Sequence, residues 1–291
     1  MLNRTAIGYA MLVVVVIIWG ATFVSTKVLL RYVTPVDVLF YRFLIGYAAL
    51  WVIHPRRAPF TTLKNEALIF AAGATGVMLY FLCENIALKY TLASNVGPLV
   101  STTPVMTLLL SAWLNRDGSI TRATVAGCLA GLAGVVLVFF NGTTTFEAHP
   151  VGDALALGAA LCWAVYCVLL KRITSIGNMI VFTRRVFAYA LVAMIPMLCV
   201  TGLHTQTATL AHAAVTGNLL FLALGASALC YVLWNSAVGR VGVVKASYFL
   251  YFVPVVTLVL AAIVLGEKIT LYAIGGTALI IAGVWIADKG K

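Results

Sequence analysis

Residues 6–29 read AIGYAMLVVVVIIWGATFVSTKVL, and residues 152–171 read GDALALGAALCWAVYCVLLK. Each is an apolar run of about 20 residues, the length that crosses the hydrocarbon core of a bilayer as one helix. The two runs also share a frame, because Gly8, Trp19 and Lys27 recur as Gly152, Trp163 and Lys171 at a constant offset of 144. Arg4 ahead of the first run could suggest a signal peptide. The run is too long for a signal h-region and has an equivalent in mid-chain, so it is read as a retained span.

Working outward, the frame continues in order. Phe40-Tyr41-Arg42 with Tyr47-Ala48 matches Phe182-Thr183-Arg184 with Tyr189-Ala190 at an offset of 142. Asn85 and Ala87 match Asn235 and Ala237 at 150, as Pro104-Val105 and Thr107 match Pro254-Val255 and Thr257. Gly127 and Gly134-Val135 match Gly276 and Gly283-Val284 at 149. Matches that keep their order with so little drift describe an internal duplication, here of residues 1–145 and 146–291.

The composition fits a chain made of spans. Of 291 residues 63% are hydrophobic and 9% charged, with a mean hydropathy of +1.07, against roughly 45–50% apolar and about 25% charged in soluble domains. Hydropathy windows place spans at 6–29, 36–53, 66–88, 92–114 and 122–140, then at 152–171, 179–201, 215–238, 243–265 and 271–287. The connections are too short for a soluble domain. The fold class expected is an all-α integral membrane protein, ten transmembrane helices arranged as two inverted five-helix repeats. Five spans per copy is an odd number, so the second copy starts from the opposite face of the membrane. Many secondary transporters are built this way, their halves exchanging which side is open.

Charge sets the direction. With the N-terminus inside, twelve Lys and Arg fall in cytoplasmic segments, three (Arg31, Lys89 and Lys268) on the other side, and Lys27, Arg42, Arg184 and Arg185 within spans. That asymmetry in short loops predicts a multi-pass membrane protein with both termini in the cytoplasm. It also accounts for the net charge of +11 as a basic surface facing anionic headgroups, with no nucleic-acid partner. The six cysteines lie in apolar stretches without CxxC spacing and are read as buried side chains, with no metal or disulfide role. No phosphate-binding Gly-x-x-x-x-Gly-Lys motif occurs, and the four histidines fall in loops or at span ends. ATP-driven transport, a cofactor and enzymatic catalysis are therefore not expected.

Trp19-Gly20, Val253-Pro254-Val255-Val256 through Leu265-Gly266-Glu267-Lys268, and Gly275-Gly276 to Ala282-Gly283-Val284 carry a family resemblance. On these residues the chain resembles the drug/metabolite transporter superfamily, its EamA-type ten-helix members, and within them bacterial YddG-type amino-acid exporters. The resemblance covers nearly the whole chain and implies export of amino acids. The first half departs from it, with Asn115-Arg116-Asp117 where the second has Gly266-Glu267-Lys268.

Candidate site residues follow from polarity inside the spans. Asn95, Ser101 and Pro104 in the fourth span, and Tyr248, Tyr251 and Pro254 in the ninth, put hydroxyls and helix breakers at equivalent depth. A proline frees a backbone carbonyl, which is tolerated in lipid when it is buried or faces a cavity, so Pro104 and Pro254 are expected hinges. Trp19, Phe23, Tyr80 and Phe81 face the counterparts Trp163, Tyr166, Tyr231 and Trp234, an aromatic wall suited to an apolar or aromatic side chain. Glu84 is the carboxylate deepest in a span, at a depth that allows pairing with Lys27 or Arg42 as an outer gate or a fixed bridge. Arg184 and Arg185 have no carboxylate in the symmetric position, where Trp234 stands for Glu84. The Gly127, Gly131 and Gly134 series and its counterpart in the tenth span are expected to pack on each other, away from the transport path.

The expected function is export of a small-molecule substrate, amino acids including aromatic and hydrophobic ones, by alternating access. Downhill facilitated export is expected, with proton antiport as the alternative coupling. The competing functions are broad drug or cation efflux, and a channel. A monomer is compatible with the pattern, which fixes no oligomeric state.

Overall fold

The structure, a computed structural model, describes residues 4–56, 60–90, 93–115, 121–139, 150–173, 178–265 and 270–289. Arg57, Arg116, Asp117, Glu267, Lys268 and Lys291 lie outside the described residues, as does the side chain of Asn95. The described residues form helices and no strand. In chain order these are α1 (Arg4–Leu29), α2 (Pro35–Ile53), α3 (Leu63–Tyr90), α4 in two pieces (Ala93–Val100 and Thr103–Asn115) and α5 (Arg122–Phe139). There follow α6 (Pro150–Arg172), α7 (Met179–Thr201), a single helical turn (Thr207–Leu210), α8 (Ala213–Val241), α9 in two pieces (Val243–Tyr248 and Phe252–Leu265) and α10 (Leu271–Lys289). Six of them (α1, α2, α3, α6, α7 and α8) are long and apolar enough to cross a membrane, and the apolar stretches of α4, α5, α9 and α10 are shorter.

Their ends carry local signals. Thr34 caps α2 by accepting from the Asp37 amide, with Pro35 in the first turn, and Asn178 caps α7 by accepting from the Ile180 amide. Gly202 and Gly242 end α7 and α8 at positive φ, where a side chain would be strained.

Helix pairing repeats itself when the halves are exchanged. α1 packs on α8 and α9, as α6 packs on α3 and α4; α2 packs on α8, as α7 packs on α3; and α2 and α7 pack on one another. The α5–α10 contact shows the sense of the exchange. A Cβ on Gly127 would lie 2.4 Å from the Gly283 carbonyl oxygen, and one on Gly134 2.6 Å from that of Gly276. Gly127 meets Gly283 while Gly134 meets Gly276, so the helices run antiparallel, and the offset of 149 converts one contact into the other. Equivalent helices therefore point in opposite directions, as the inverted arrangement requires. Only glycine permits this backbone approach, the packing that small residues allow between helices in lipid.

Two regular features interrupt the helices at equivalent places. α3 and α8 each contain a π-helical segment, Ala74–Leu79 and Phe221–Leu229. The wider turn leaves carbonyls for other donors: Tyr231 Oη donates to Gly76 O at 2.6 Å, and Trp19 Nε1 donates to Ala226 O at 3.0 Å. α4 breaks at Ser101-Thr102 and α9 passes through a 3₁₀ turn at Phe249–Tyr251, each just ahead of its proline. Pro104 has no N–H for the Val100 carbonyl, and the Thr103 hydroxyl donates to that oxygen at 2.6 Å instead.

Candidate functional site

The repeat places Trp19 and Trp163 at the middle of the molecule, edge to face with ring centroids 5.2 Å apart. Trp234 lies 5.4 Å from Trp19, Tyr231 lies 5.5 Å from Trp163, and Tyr80 lies 5.1 Å from Trp163. The rings adopt edge-on and tilted geometries, which suit their quadrupoles. Beside them is a small cavity of about 50 Å³. Five of the nine expected contact residues line it together: Trp19, Phe23, Tyr80, Ser101 and Trp163.

Tyr166, Tyr248 and Tyr251 do not line it. Tyr166 is packed against Gly76, where a Cβ would meet its ring at 2.3 Å, and its hydroxyl donates to Asn235 Oδ1 at 2.6 Å. Tyr251 faces α5, lying against Gly131 and donating to the Cys128 carbonyl at 2.9 Å. Tyr248 lines a second, larger cavity. The side chain of Asn95 is outside the described residues. Sequence reasoning assigned no such place to Thr22, Leu250 or Val253, which also line the small cavity.

Of the charged trio, the structure gathers Arg42 and Glu84 at that cavity, both buried, where their opposite charges attract. Arg42 Nε donates to Ser227 Oγ at 2.6 Å, and its guanidinium lies 4.1 Å from the Phe81 ring centroid, a cation–π contact. Lys27 is half-buried and is not part of the lining.

Trp234 stands at the position symmetric to Glu84, and the arginines of α7 find their partners elsewhere. Arg185 does have a carboxylate: its Nη2 is 2.8 Å from Glu66 Oε1 in the first turn of α3. Glu66 also accepts from the Thr61 amide at 2.9 Å and from Tyr189 Oη at 2.6 Å. Arg184 donates to the His54 and Arg56 carbonyls and lies 3.7 Å from the Trp51 ring centroid. These contacts tie α7 to the α2–α3 connection. The repeat frame missed Glu66 because it directed attention to Trp234, the counterpart of Glu84.

The second cavity measures about 450 Å³ and lies where α6 and α8 finish and α7 and α9 begin. Lys171, Phe182, Asn235, Val238, Lys245 and Tyr248 are among its lining residues. At the opposite end of the molecule the repeat equivalents of Asn235 and Val238 are Asn85 and Leu88, and both are buried. That end is also tied across the halves. Asp37 accepts from the His204 amide at 3.1 Å and from the Thr205 hydroxyl, and Ser25 donates to Asn218 at 2.8 Å.

This architecture has known relatives. The sequence matches the EamA-like transporter family over residues 6–140 and again over residues 150–287, once per half. The chain belongs to that family. Among curated relatives, an uncharacterized transporter of Archaeoglobus fulgidus is 28% identical over 96% of this chain and 96% of its own length. A probable amino-acid metabolite efflux pump of Salmonella typhimurium is 28% identical over 94% of this chain and 91% of its own length. Its namesake in Escherichia coli is 26% identical over the same shares. A solved crystal structure superimposes with a TM-score of 0.76 at 22% identity, covering 98% of this chain and 96% of that one, which shows the shared fold. This EamA-type chain is thus a multi-pass membrane transporter for a small-molecule substrate.

Proposed function

We propose that this transporter exports amino acids, aromatic and hydrophobic ones among them, from the cytoplasm across the inner membrane by alternating access. Both termini are cytoplasmic, and the halves 1–145 and 146–291 exchange roles as access alternates. The observation that carries the reading is a cavity of about 450 Å³ at one end of the described helices, whose lining residue Asn235 accepts from Tyr166, itself 5.1 Å from the Trp163 ring where equivalent residues of the two halves meet. In the orientation set by the basic loops, that cavity opens to the cytoplasm and the tied end faces outward. The small cavity joins aromatic walls to the hydroxyl of Ser101 and the charges of Arg42 and Glu84, which suits an apolar side chain with a zwitterionic head. The names of the Salmonella typhimurium and Escherichia coli relatives support the same substrate class.

A broad cation exporter would offer an accessible carboxylate to its substrate, whereas Glu84 shares its cavity with Arg42. With that pair occupied, transport is downhill. Proteoliposomes loaded with radiolabelled amino acids test the reading. Saturable, protein-dependent efflux of phenylalanine or leucine that is indifferent to an imposed pH gradient is expected. Absence of flux for all twenty amino acids overturns it.

A further inference from the structure

We propose that the larger cavity is a recognition vestibule for a carboxylate, held by Lys171 and Lys245, so that this transporter admits its substrates by their acid group. The inference rests on the amino-acid export proposed above and deepens it. Lys171 lies in the last turn of α6 and Lys245 in the first piece of α9, and both line the same cavity. Among its described lining residues there is no carboxylate. A lysine carries three N–H donors, so each can keep a protein partner and still give a charge-assisted bond to a carboxylate oxygen. The two lysines repel an amine that has no acid group. The volume, about 450 Å³, falls within the common range of small-molecule sites.

The wall behind the lysines is fixed. Asn235 lines the cavity with its Oδ1 accepting from Tyr166 and its Nδ2 donating to Thr183 at 3.0 Å. Both ends of the amide are thereby oriented, and the vestibule floor is joined to the aromatic cluster through Tyr166.

The internal repeat gives the vestibule a direction. The counterpart of Lys171 is Lys27, but the counterpart of Lys245 at an offset of 150 is Asn95. Exchange of access therefore delivers the substrate to an end where one lysine stands at the two positions equivalent to Lys171 and Lys245. The acid group is held more firmly on the side of capture than on the side of release.

An oxyanion at this depth could also be the phosphate of an anionic lipid, and the test separates the two sources. Binding to the purified full chain in phosphatidylcholine nanodiscs is measured by calorimetry with 3-phenylpropionate, which has only the acid, and 2-phenylethylamine, which has only the amine. The acid is expected to bind about tenfold more tightly than the amine, and Lys171→Gln and Lys245→Gln each to weaken it by about tenfold with unchanged melting temperature. Lys→Arg at either position retains binding. Equal binding of acid and amine overturns the proposal, as does undiminished acid binding in the double Gln variant. Acid binding abolished by phosphatidylglycerol in the disc assigns the lysines to a headgroup and overturns it too. Acid-selective, lysine-dependent binding without amino-acid flux would uphold the vestibule and sink the export reading, whereas flux indifferent to both lysines would do the reverse.

Discussion

Trp19 and Trp163 occupy the same position in the two halves of the chain, and their rings meet edge to face with centroids 5.2 Å apart. Residues exchanged by a two-fold axis touch only where that axis passes, so this contact marks the axis. Their surroundings are unequal. Trp19 Nε1 donates to Ala226 O at 3.0 Å, while Trp163 Nε1 is buried with no hydrogen-bond partner among the described residues. The carbonyl equivalent to Ala226 is Gly76, and Tyr231 takes it. At this axis the equivalent carbonyls take different donors, Trp19 at Ala226 and Tyr231 at Gly76.

The α5–α10 seam admits no side chain at its glycines. Gly127→Ala or Gly283→Ala drives a Cβ to 2.4–2.6 Å from backbone oxygen, a clash that no rotamer relieves and that costs about 1–3 kcal/mol. Gly158→Ala, with nothing within 4 Å, is the neutral control. Size-exclusion profiles after heating should show early loss of the monodisperse peak for the first two variants only.

Transport should depend on the rings that line the small cavity. Trp163→Phe and Tyr80→Phe keep most of the packing, whereas Trp163→Ala and Tyr80→Ala remove the cavity wall. Flux in proteoliposomes is expected to fall about tenfold or more in the Ala variants, with folded protein retained, and less in the Phe variants. Truncating a fully packed Trp costs roughly 3–5 kcal/mol, so the Phe variants separate a lost wall from a lost fold. Unchanged flux in both Ala variants refutes the site.

Much of this was legible because an inverted repeat prints itself twice. The spans at 179–201 and 271–287 fall on α7 and α10, and the Gly127, Gly134, Gly276 and Gly283 pattern anticipated the seam by size alone. Other features follow from geometry that no short pattern encodes. The π segments of α3 and α8 carry no marker residue, since Gly76 and Ala226 differ. Tyr166 and Tyr251 have the composition of a binding wall, yet each is aimed at a glycine, Gly76 and Gly131. Span depth alone does not give a side chain's azimuth. Glu66 escaped because pairing was sought at equivalent positions, and Arg185 departs from the repeat there, standing where the first half has Phe43.

Arg42 and Glu84 should behave as a unit. Both are buried at one small cavity, and removing one charge leaves the other buried without its opposite neighbour, which destabilises the fold. Arg42→Gln should therefore lower the melting temperature sharply, and adding Glu84→Gln should restore a large part of it. Additive losses in the double variant would show that the two charges do not interact.

The unequal hydrogen bonds at the axis predict how the equilibrium between open ends can be shifted. Exchanging the halves turns the Trp19–Ala226 bond into one from Trp163 to Gly76, which cannot form while Tyr231 Oη holds the Gly76 carbonyl at 2.6 Å. The repeat equivalent of Tyr231 is Phe81, which has no hydroxyl, so nothing competes in the same way for Ala226. Tyr231→Phe removes the competitor with little change of shape and leaves Gly76 O free for the indole N–H of Trp163. A neutral hydrogen bond contributes about 1 kcal/mol net, so the population should move about fivefold toward the state open at the opposite end. A cysteine at Val238, in the lining of the large cavity, reports the change through its rate of labelling by an impermeant maleimide. That rate should fall in the Tyr231→Phe background while labelling at the α7–α8 connection rises. An unchanged ratio of the two rates means that the Tyr231 bond does not hold the present conformation.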